Sequence, residues 1–308
     1  MRVYRGLDVL PDFRNPVITI GTFDGVHVGH TSIINRLCTR ANEVNGESVI
    51  ITFEPHPRLV LSNHTTPIEL LYSLDEKIEA LSKMNVDNLV VVPFTKVFAE
   101  LSAKDYIEDF LVHHFKPHTF IIGYDHHFGK NRQGNFDLLN AVKGQYGFNL
   151  EEIPVQEITH VAVSSTKIRE ALHRGDITQA NTLLGKPFVL HGQVVHGEQK
   201  GRLLGFPTAN LQIMETHKLI PANGVYAVFA EVNHRMYKGM MNIGIRPTIN
   251  NLHQRSIEVH MFDFDEEIYQ QTIGVQMLHR LRDEKKFESI EGLIQQLHED
   301  KSIALQIL

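Results

Sequence analysis

Two stretches of this 308-residue sequence gather residue types suited to phosphate chemistry. In the first, the apolar run Val17-Ile18-Thr19-Ile20 leads into Gly21-Thr22-Phe23-Asp24-Gly25-Val26-His27-Val28-Gly29-His30. Ile33, Ile34, Leu37, Cys38 and Ala41 then fall on one helical face. Glycines at 21, 25 and 29 let the backbone approach a ligand closely, and a helix N-terminus offers free N–H groups and a positive dipole end. His27 and His30 add donors that can follow charge as it develops on phosphorus. The bland alternatives are a structural loop or a histidine pair holding a metal; the preceding strand and the embedded glycines weigh against both. Farther on, Ser164-Ser165-Thr166-Lys167-Ile168-Arg169 opens a helix expected to end at Gly175. Ser165, Thr166 and Arg169 stand at i, i+1 and i+4, so two hydroxyls and a guanidinium gather near its start. Alone, that is an N-cap with a solvent-facing Arg. Beside the histidine loop it becomes a clamp for the β- and γ-phosphates of ATP.

The second stretch is Gly201-Arg202-Leu203-Leu204-Gly205-Phe206-Pro207-Thr208-Ala209-Asn210-Leu211. No Gly-x-x-x-x-Gly-Lys-Ser/Thr occurs, so any phosphate chemistry here is not that of a P-loop. On extended backbone Thr208 and Asn210 point the same way, and two oxygen ligands beside substrate phosphates suit Mg²⁺. The alternative is an ordinary turn entering a strand. Downstream, Ile257-Glu258-Val259-His260-Met261 alternates, with the apolar residues toward a core and Glu258 and His260 on the other face. A strand glutamate is commonly just solvated; its functional reading is a general base for an alcohol.

These residues need two kinds of scaffold. Up to about residue 186, short β-branched runs at 17–20, 49–52, 89–92 and 119–122 alternate with helical patterns. Ser73 with Glu76 and Ser102 with Asp105 read as capping boxes. Such alternation implies a Rossmann-like parallel sheet with ligands at the carboxyl ends of its strands. Beyond Lys186-Pro187, strand-like runs at 188–195, 224–232, 235–243, 255–262 and 272–281 imply an antiparallel β-barrel, closed by a helix over about 290–297. The expected domains are therefore 1–186 and 187–308. A net charge of −6 argues against gripping nucleic acid by its phosphates. One cysteine, Cys38, forms no internal disulfide and fits a reducing compartment. No stretch of about 18 apolar residues suggests a membrane span. The expected location is the cytoplasm, and the sequence leaves room for a homo-oligomer. His113-His114 and His126-His127 are poor metal spacings because adjacent side chains diverge. The acidic run 263–267 reads as a turn, and Lys285-Lys286 is too short for a nucleic-acid patch.

The histidine loop and the Ser-Ser-Thr-x-Ile-Arg segment resemble the nucleotidyltransferase half of bifunctional prokaryotic riboflavin kinase/FAD synthetases. The run 201–211 resembles the riboflavin kinase motif of the same family. The resemblance implies that His27 and His30 stabilise the α-phosphate during transfer, with Arg169 joining Ser164, Ser165 and Thr166 on the ATP phosphates. Gly21, Phe23, Asp24, Gly25 and Gly29 would line the nucleotide loop. Phe53, Pro55, His56 and Pro57 of Thr-Phe-Glu-Pro-His-Pro, and Asp125 within 123–129, would stand near flavin and adenine. The family more often has Phe where His126 stands. In the barrel half the resemblance gives Gly201, Arg202, Gly205, Pro207, Thr208 and Asn210 to ATP, with Thr208 and Asn210 on Mg²⁺. Asn242, Gly244 and Arg246 of 242–248 would face flavin. Glu258 would be the base for the ribityl 5′-hydroxyl, while an FMN phosphate, already ionised at neutral pH, needs no base. Substrates would be riboflavin, FMN and ATP. Loops around 197–201 and 246–251 are expected to cover the kinase site. Rival readings are a one-activity enzyme, a flavin-sensing regulator, or another nucleotidyltransferase fused to a barrel. Complete motifs at both sites count against the first, intact Glu258, His27 and His30 count against a sensor, which gains nothing from them, and flavin fluorescence quenching would separate the third.

Overall fold

The computed structural model describes residues 1–61, 68–123, 126–153, 163–197, 199–246 and 254–308. The chain divides into two units, Met1–Ser165 and Thr166–Leu308. In the first, β1 (Arg2–Arg5), β2 (Val17–Ile20), β3 (Ser48–Glu54), β4 (Asn88–Pro93), β5 (Thr119–Gly123) and β6 (Asn149–Ile153) form one sheet. Their order is β1-β4-β3-β2-β5-β6 and every pairing is parallel. Side chains alternate between its faces, so each face carries its own core. Ile18, Ile20, Ile51, Val90 and Phe120 pack with Tyr106, Ile107, Phe110 and Leu111 on one side. Val17, Ile50, Leu89, Val91 and Ile121 pack with Ile34, Leu37 and Ala41 of α1 (Val28–Glu43) on the other. Strand order reverses at β2, with β3 on one side and β5 on the other, so the carboxyl end of β2 opens into the natural ligand crevice.

The Ser73/Glu76 capping box is present in both directions and starts α2 (Leu74–Ser82). Ser102 accepts from the Asp105 N–H, one half of the expected box, while its hydroxyl donates to the Asp105 carboxylate at 2.8 Å. The stretch that follows, however, is π-helical over Tyr106–Val112, between α-helical turns at Ala103–Asp105 and His113–Phe115. Arg36 and Arg40 of α1 both pair with Glu151, which ties that helix to the edge strand β6.

The second unit begins in α3 (Ser165–Arg174), which stops at Gly175, where φ is +73°. A further helix, α4 (Ile177–Leu184), leads to the barrel. Its strands are β7 (Phe188–Val195), β8 (Ala209–Gln212), β9 (Gly224–Val232), β10 (Arg235–Arg246), β11 (Gln254–Met261) and β12 (Thr272–Arg282). They close in the order β10-β11-β8-β7-β12-β9, all antiparallel. The terminal helix α5 runs Ile290–Ile307, well past the expected end near 297. Its polar stretch His298-Glu299-Asp300-Lys301-Ser302 breaks the apolar pattern, yet Asp300 is 1% exposed because Arg282 pairs with it through Nε and a terminal nitrogen. Ala304 and Leu297 of this helix cover Ala227, Met240, Phe206 and Phe262 on the outside of the barrel.

Candidate active sites

At the carboxyl end of β2, the Gly21 N–H donates to Ile51 O and the chain turns sharply through Phe23 (φ +47°), Gly25 (φ +88°) and Val26 (φ +41°). Left-handed backbone at a β-branched residue is sparsely populated, so this loop is held by its surroundings. Asp24, 1% exposed, is one such hold: its carboxylate accepts from the Leu71 and Tyr72 N–H groups at 3.2 and 2.9 Å. The Ser165 hydroxyl donates to the Asp24 carbonyl at 3.0 Å, which joins the loop to the start of α3 within the first unit.

His27, 6% exposed, is the N-cap of α1, and its Nδ1 accepts from the His30 N–H at 3.3 Å. An accepting Nδ1 leaves the hydrogen of the neutral ring on Nε2, so the ring keeps a donor on its far side. The two imidazoles stack at 3.7 Å with 15° between planes, and Phe23 meets His30 edge-on at 5.1 Å. Gly29 is buried in the first turn of the helix. The histidine pair is thus set at a helix N-terminus in the crevice, where a phosphate would be met by N–H donors.

The neighbouring segment leaves β3 through Phe53, Glu54 and Pro55, with a cis bond at Glu54–Pro55. His56 is buried and its Nδ1 accepts from the Arg58 N–H, while Pro57 opens a short helix, Pro57–Leu61. Phe53 packs against Phe94 and Phe98 at 5.4 and 5.5 Å, which builds an aromatic wall at the ends of β3 and β4. Sequence reasoning overlooked Lys77, a 3%-exposed lysine whose Nζ donates to Thr52 Oγ1 at 3.3 Å. Burial lowers its amine, opposed by the carboxylates of Asp24 and Glu54. Since the Thr52 hydroxyl donates in turn to Thr22 O at 3.3 Å, the 21–30 loop and the 52–57 segment share one polar anchor. Helical spacing alone would have marked Lys77 as one more surface residue of α2.

Ser164 and Ser165 fall in the first unit and Thr166 and Arg169 in the second, because the division lies at the start of α3. Asp125 lies outside the described residues, as do the side chain of Arg246 and most of the 246–251 loop.

In the barrel, the ladder does what the sequence could not show. Asn210 of β8 stands opposite Glu258 of β11, and Glu258 stands opposite Asn242 of β10. Directly opposed residues in antiparallel strands share a face at about 5 Å spacing, so three polar side chains from distant parts of the sequence form one row outside the barrel. The Thr208 hydroxyl donates to Glu258 Oε2 at 3.4 Å. A side chain at Gly197 would collide with Asn210, and one at Gly244 with Glu284, so both glycines keep room for polar neighbours. Glu284 was absent from the sequence-based set; nothing in its Asp-Glu-Lys-Lys surroundings marks it. Gly201 passes too close to the Phe206 carbonyl to carry a side chain, its own carbonyl accepts from Phe206 N, and Gly205 has φ +81°. Arg202 and Pro207 are exposed beside this turn. Hydroxyl, amide and carboxylate oxygens, without nitrogen or sulfur ligands, form a donor set that fits Mg²⁺.

His260 lies on the face the alternation assigns it, but that face is not open there. It does point away from Ile257, Val259 and Met261, but it is 7% exposed, under Phe206 and Phe262. The terminal helix covers that end of the outer face, and the row containing Glu258 is the half-open remainder.

A histidine-bearing loop at the reversal point of a parallel sheet, in one chain with a barrel that carries a carboxylate among hard oxygen donors, defines a two-centre, nucleotide-dependent transferase. Residues 10–167 match the FAD synthetase family and residues 184–308 the riboflavin kinase family. A bifunctional riboflavin kinase/FMN adenylyltransferase of Haemophilus influenzae is 40% identical over 99% of this chain and 98% of its own length. Relatives of the same description are 38% identical in Listeria monocytogenes, over 93% and 90%, and 35% in Escherichia coli, over 99% and 97%. The chain belongs to the bifunctional riboflavin kinase/FMN adenylyltransferase family. A crystal structure described as a macrolide-efflux protein from Streptococcus pneumoniae shares its architecture, with TM-score 0.89 and 28% identity over 99% of both chains. Among the described residues here, no helix is long and apolar enough to cross a membrane.

Proposed function

We propose that residues 187–308 transfer the γ-phosphate of ATP to riboflavin, and that residues 1–186 transfer AMP from a second ATP to the FMN so formed. The observation that carries the first step is the Asn210–Glu258–Asn242 row with the Thr208 hydroxyl on the Glu258 carboxylate. The ribityl 5′-hydroxyl is un-ionised at neutral pH, so Glu258 takes its proton as the oxygen attacks the γ-phosphorus and ADP leaves. Thr208 and Asn210 hold Mg²⁺, which when bound offsets phosphate charge. Gly201, Arg202, Gly205 and Pro207 shape the ATP side, and Asn242, Gly244 and Arg246 the flavin side.

In the second step an FMN phosphate oxygen attacks the α-phosphorus, and the bond to pyrophosphate breaks. No base is required, so the work is positioning and charge stabilisation. His27 and His30 serve the α-phosphate from the helix N-terminus, with Gly21, Phe23, Gly25 and Gly29 giving the loop its shape and Asp24 pinning it. Ser164, Ser165, Thr166 and Arg169 hold the outer phosphates. Phe53, Pro55, His56, Pro57 and Asp125 serve the flavin. The single cysteine, Cys38, fits a reducing compartment, and the chain is read as a cytoplasmic enzyme.

Labelled ATP tests the scheme. With riboflavin as acceptor, label in the γ-phosphate is expected in FMN and then in FAD, whereas label in the α-phosphate is expected in FAD alone. Label from the α-position in FMN, or none from the γ-position, would contradict it.

A further inference from the structure

Thr208 and Pro207 precede β8, which begins at Ala209, so ladder hydrogen bonds do not hold them. The register pairs Ala209 with Val259 and Asn210 with Glu258; continued by one residue, it sets Thr208 opposite His260. There the ladder is replaced by a side chain. His260 Nδ1 lies 2.7 Å from the Pro207 carbonyl oxygen. A carbonyl can only accept, so Nδ1 carries the hydrogen and the tautomer is fixed. The proline ring already restricts φ at 207 to about −65°, which leaves ψ as the freedom that sets the Pro207–Thr208 peptide plane. A hydrogen bond to the carbonyl of that plane removes this freedom. Glu258, two residues earlier on the same face of β11, accepts from the Thr208 hydroxyl. One strand therefore grips the dipeptide at two points, the carbonyl of Pro207 and the hydroxyl of Thr208. The ring is itself immobilised between Phe206 at 5.2 Å and Phe262 at 5.6 Å.

We infer that His260 is a positioning residue of the kinase centre, whose Nδ1–H fixes the Pro207–Thr208 peptide so that the Thr208 oxygen meets Mg–ATP and Glu258 together. The inference rests on the kinase roles given to Thr208 and Glu258. It assigns His260 no contact with substrate. It also gives a reason for proline at 207: ring and imidazole between them determine both backbone torsions before the metal-binding threonine.

The test uses the full chain with two substitutions of His260. Asn places an amide N–H close to where Nδ1–H stands, and Leu fills space without a donor. His260→Leu is expected to raise KM for MgATP at least tenfold and to lower kcat of FMN formation, with KM for riboflavin changed little. His260→Asn should restore MgATP KM to within about threefold of wild type, about 0.7 kcal/mol. FAD formation from supplied FMN should be unchanged in both. Equal impairment of Asn and Leu variants would show that ring volume matters and the donor does not, overturning the inference; so would wild-type kinetics in His260→Leu. Glu258→Gln is run in parallel: if it retains full FMN formation, the underlying kinase reading fails separately. Should His260→Leu not fold, long-range ¹H–¹⁵N correlation on the wild-type protein still decides. A hydrogen on Nδ1 supports the inference, and one on Nε2 overturns it.

Discussion

A glutamate on the outside of a barrel strand is ordinarily a solvated residue. Glu258 differs through its neighbours: Asn210 and Asn242 flank it in register, and Thr208 donates to it. The motif around 201–211 and the alternation at 257–261 were both legible in the sequence. Their meeting was not, because register between strands some 50 residues apart is a tertiary property. Burial of single polar residues was equally hidden: Lys77 and His260 carry no local mark of the partners that bury them. His126 gives a test at this scale. Its half-buried ring, packed on Phe120 and Phe128, is pushed down to about 4, first by burial and then by the charges of His127 and Arg132. The folded chain therefore resists a proton that the unfolded chain binds below its ordinary value near 6.5. Stability from this residue is complete above that value and is lost as pH falls toward 4, by ~2 kcal/mol after discounting for its partial exposure. In urea unfolding, His126→Phe should narrow the stability loss between pH 7 and 4.5 relative to wild type. Parallel curves for the two proteins would contradict the assignment.

At the scale of elements, the strands legible from sequence were those buried on both faces or alternating cleanly, such as β2 to β5, β7 and β9. The sheet-edge strands β1 and β6 were missed because charged residues flank or interrupt their apolar ones and neither offers a buried β-branched run. β8 was missed because four residues just behind a proline give no period, although Asn210 was correctly read as extended. The π-helical segment 106–112 has no sequence signature that a 3.6-residue period would reveal. The terminal helix was cut short at its charged middle, where the Arg282–Asp300 pair answers for the anomaly. Arg282 donates to both carboxylate oxygens at 2.7–3.0 Å, and Asp300 has almost no access to water. Removing only the arginine strands a buried charge, so Arg282→Met should cost about 3–5 kcal/mol. Arg282→Met combined with Asp300→Leu should recover most of that loss in urea unfolding. A double variant no more stable than the single one would show that the pair's value lies elsewhere than in charge compensation.

For the whole molecule, two units with separate cores frame the proposed scheme, in which two sets of groups serve two different acceptors. In that scheme an alcohol acceptor meets a carboxylate base, and an already ionised phosphate acceptor meets histidine donors at a helix start with no base. That chemical difference makes the two activities separable by single substitutions in one intact chain. The most direct measurement is a chromatographic time course with riboflavin, ATP and Mg²⁺ on wild type, Glu258→Gln and His30→Ala. Wild type is expected to make FMN and then FAD. Glu258→Gln should lose about 10²–10⁴-fold in FMN formation yet convert supplied FMN to FAD at the wild-type rate, and His30→Ala should accumulate FMN. If either substitution impaired both steps alike, or if wild type stopped at FMN with ATP in excess, the assignment of one reaction to residues 187–308 and the other to residues 1–186 would be contradicted.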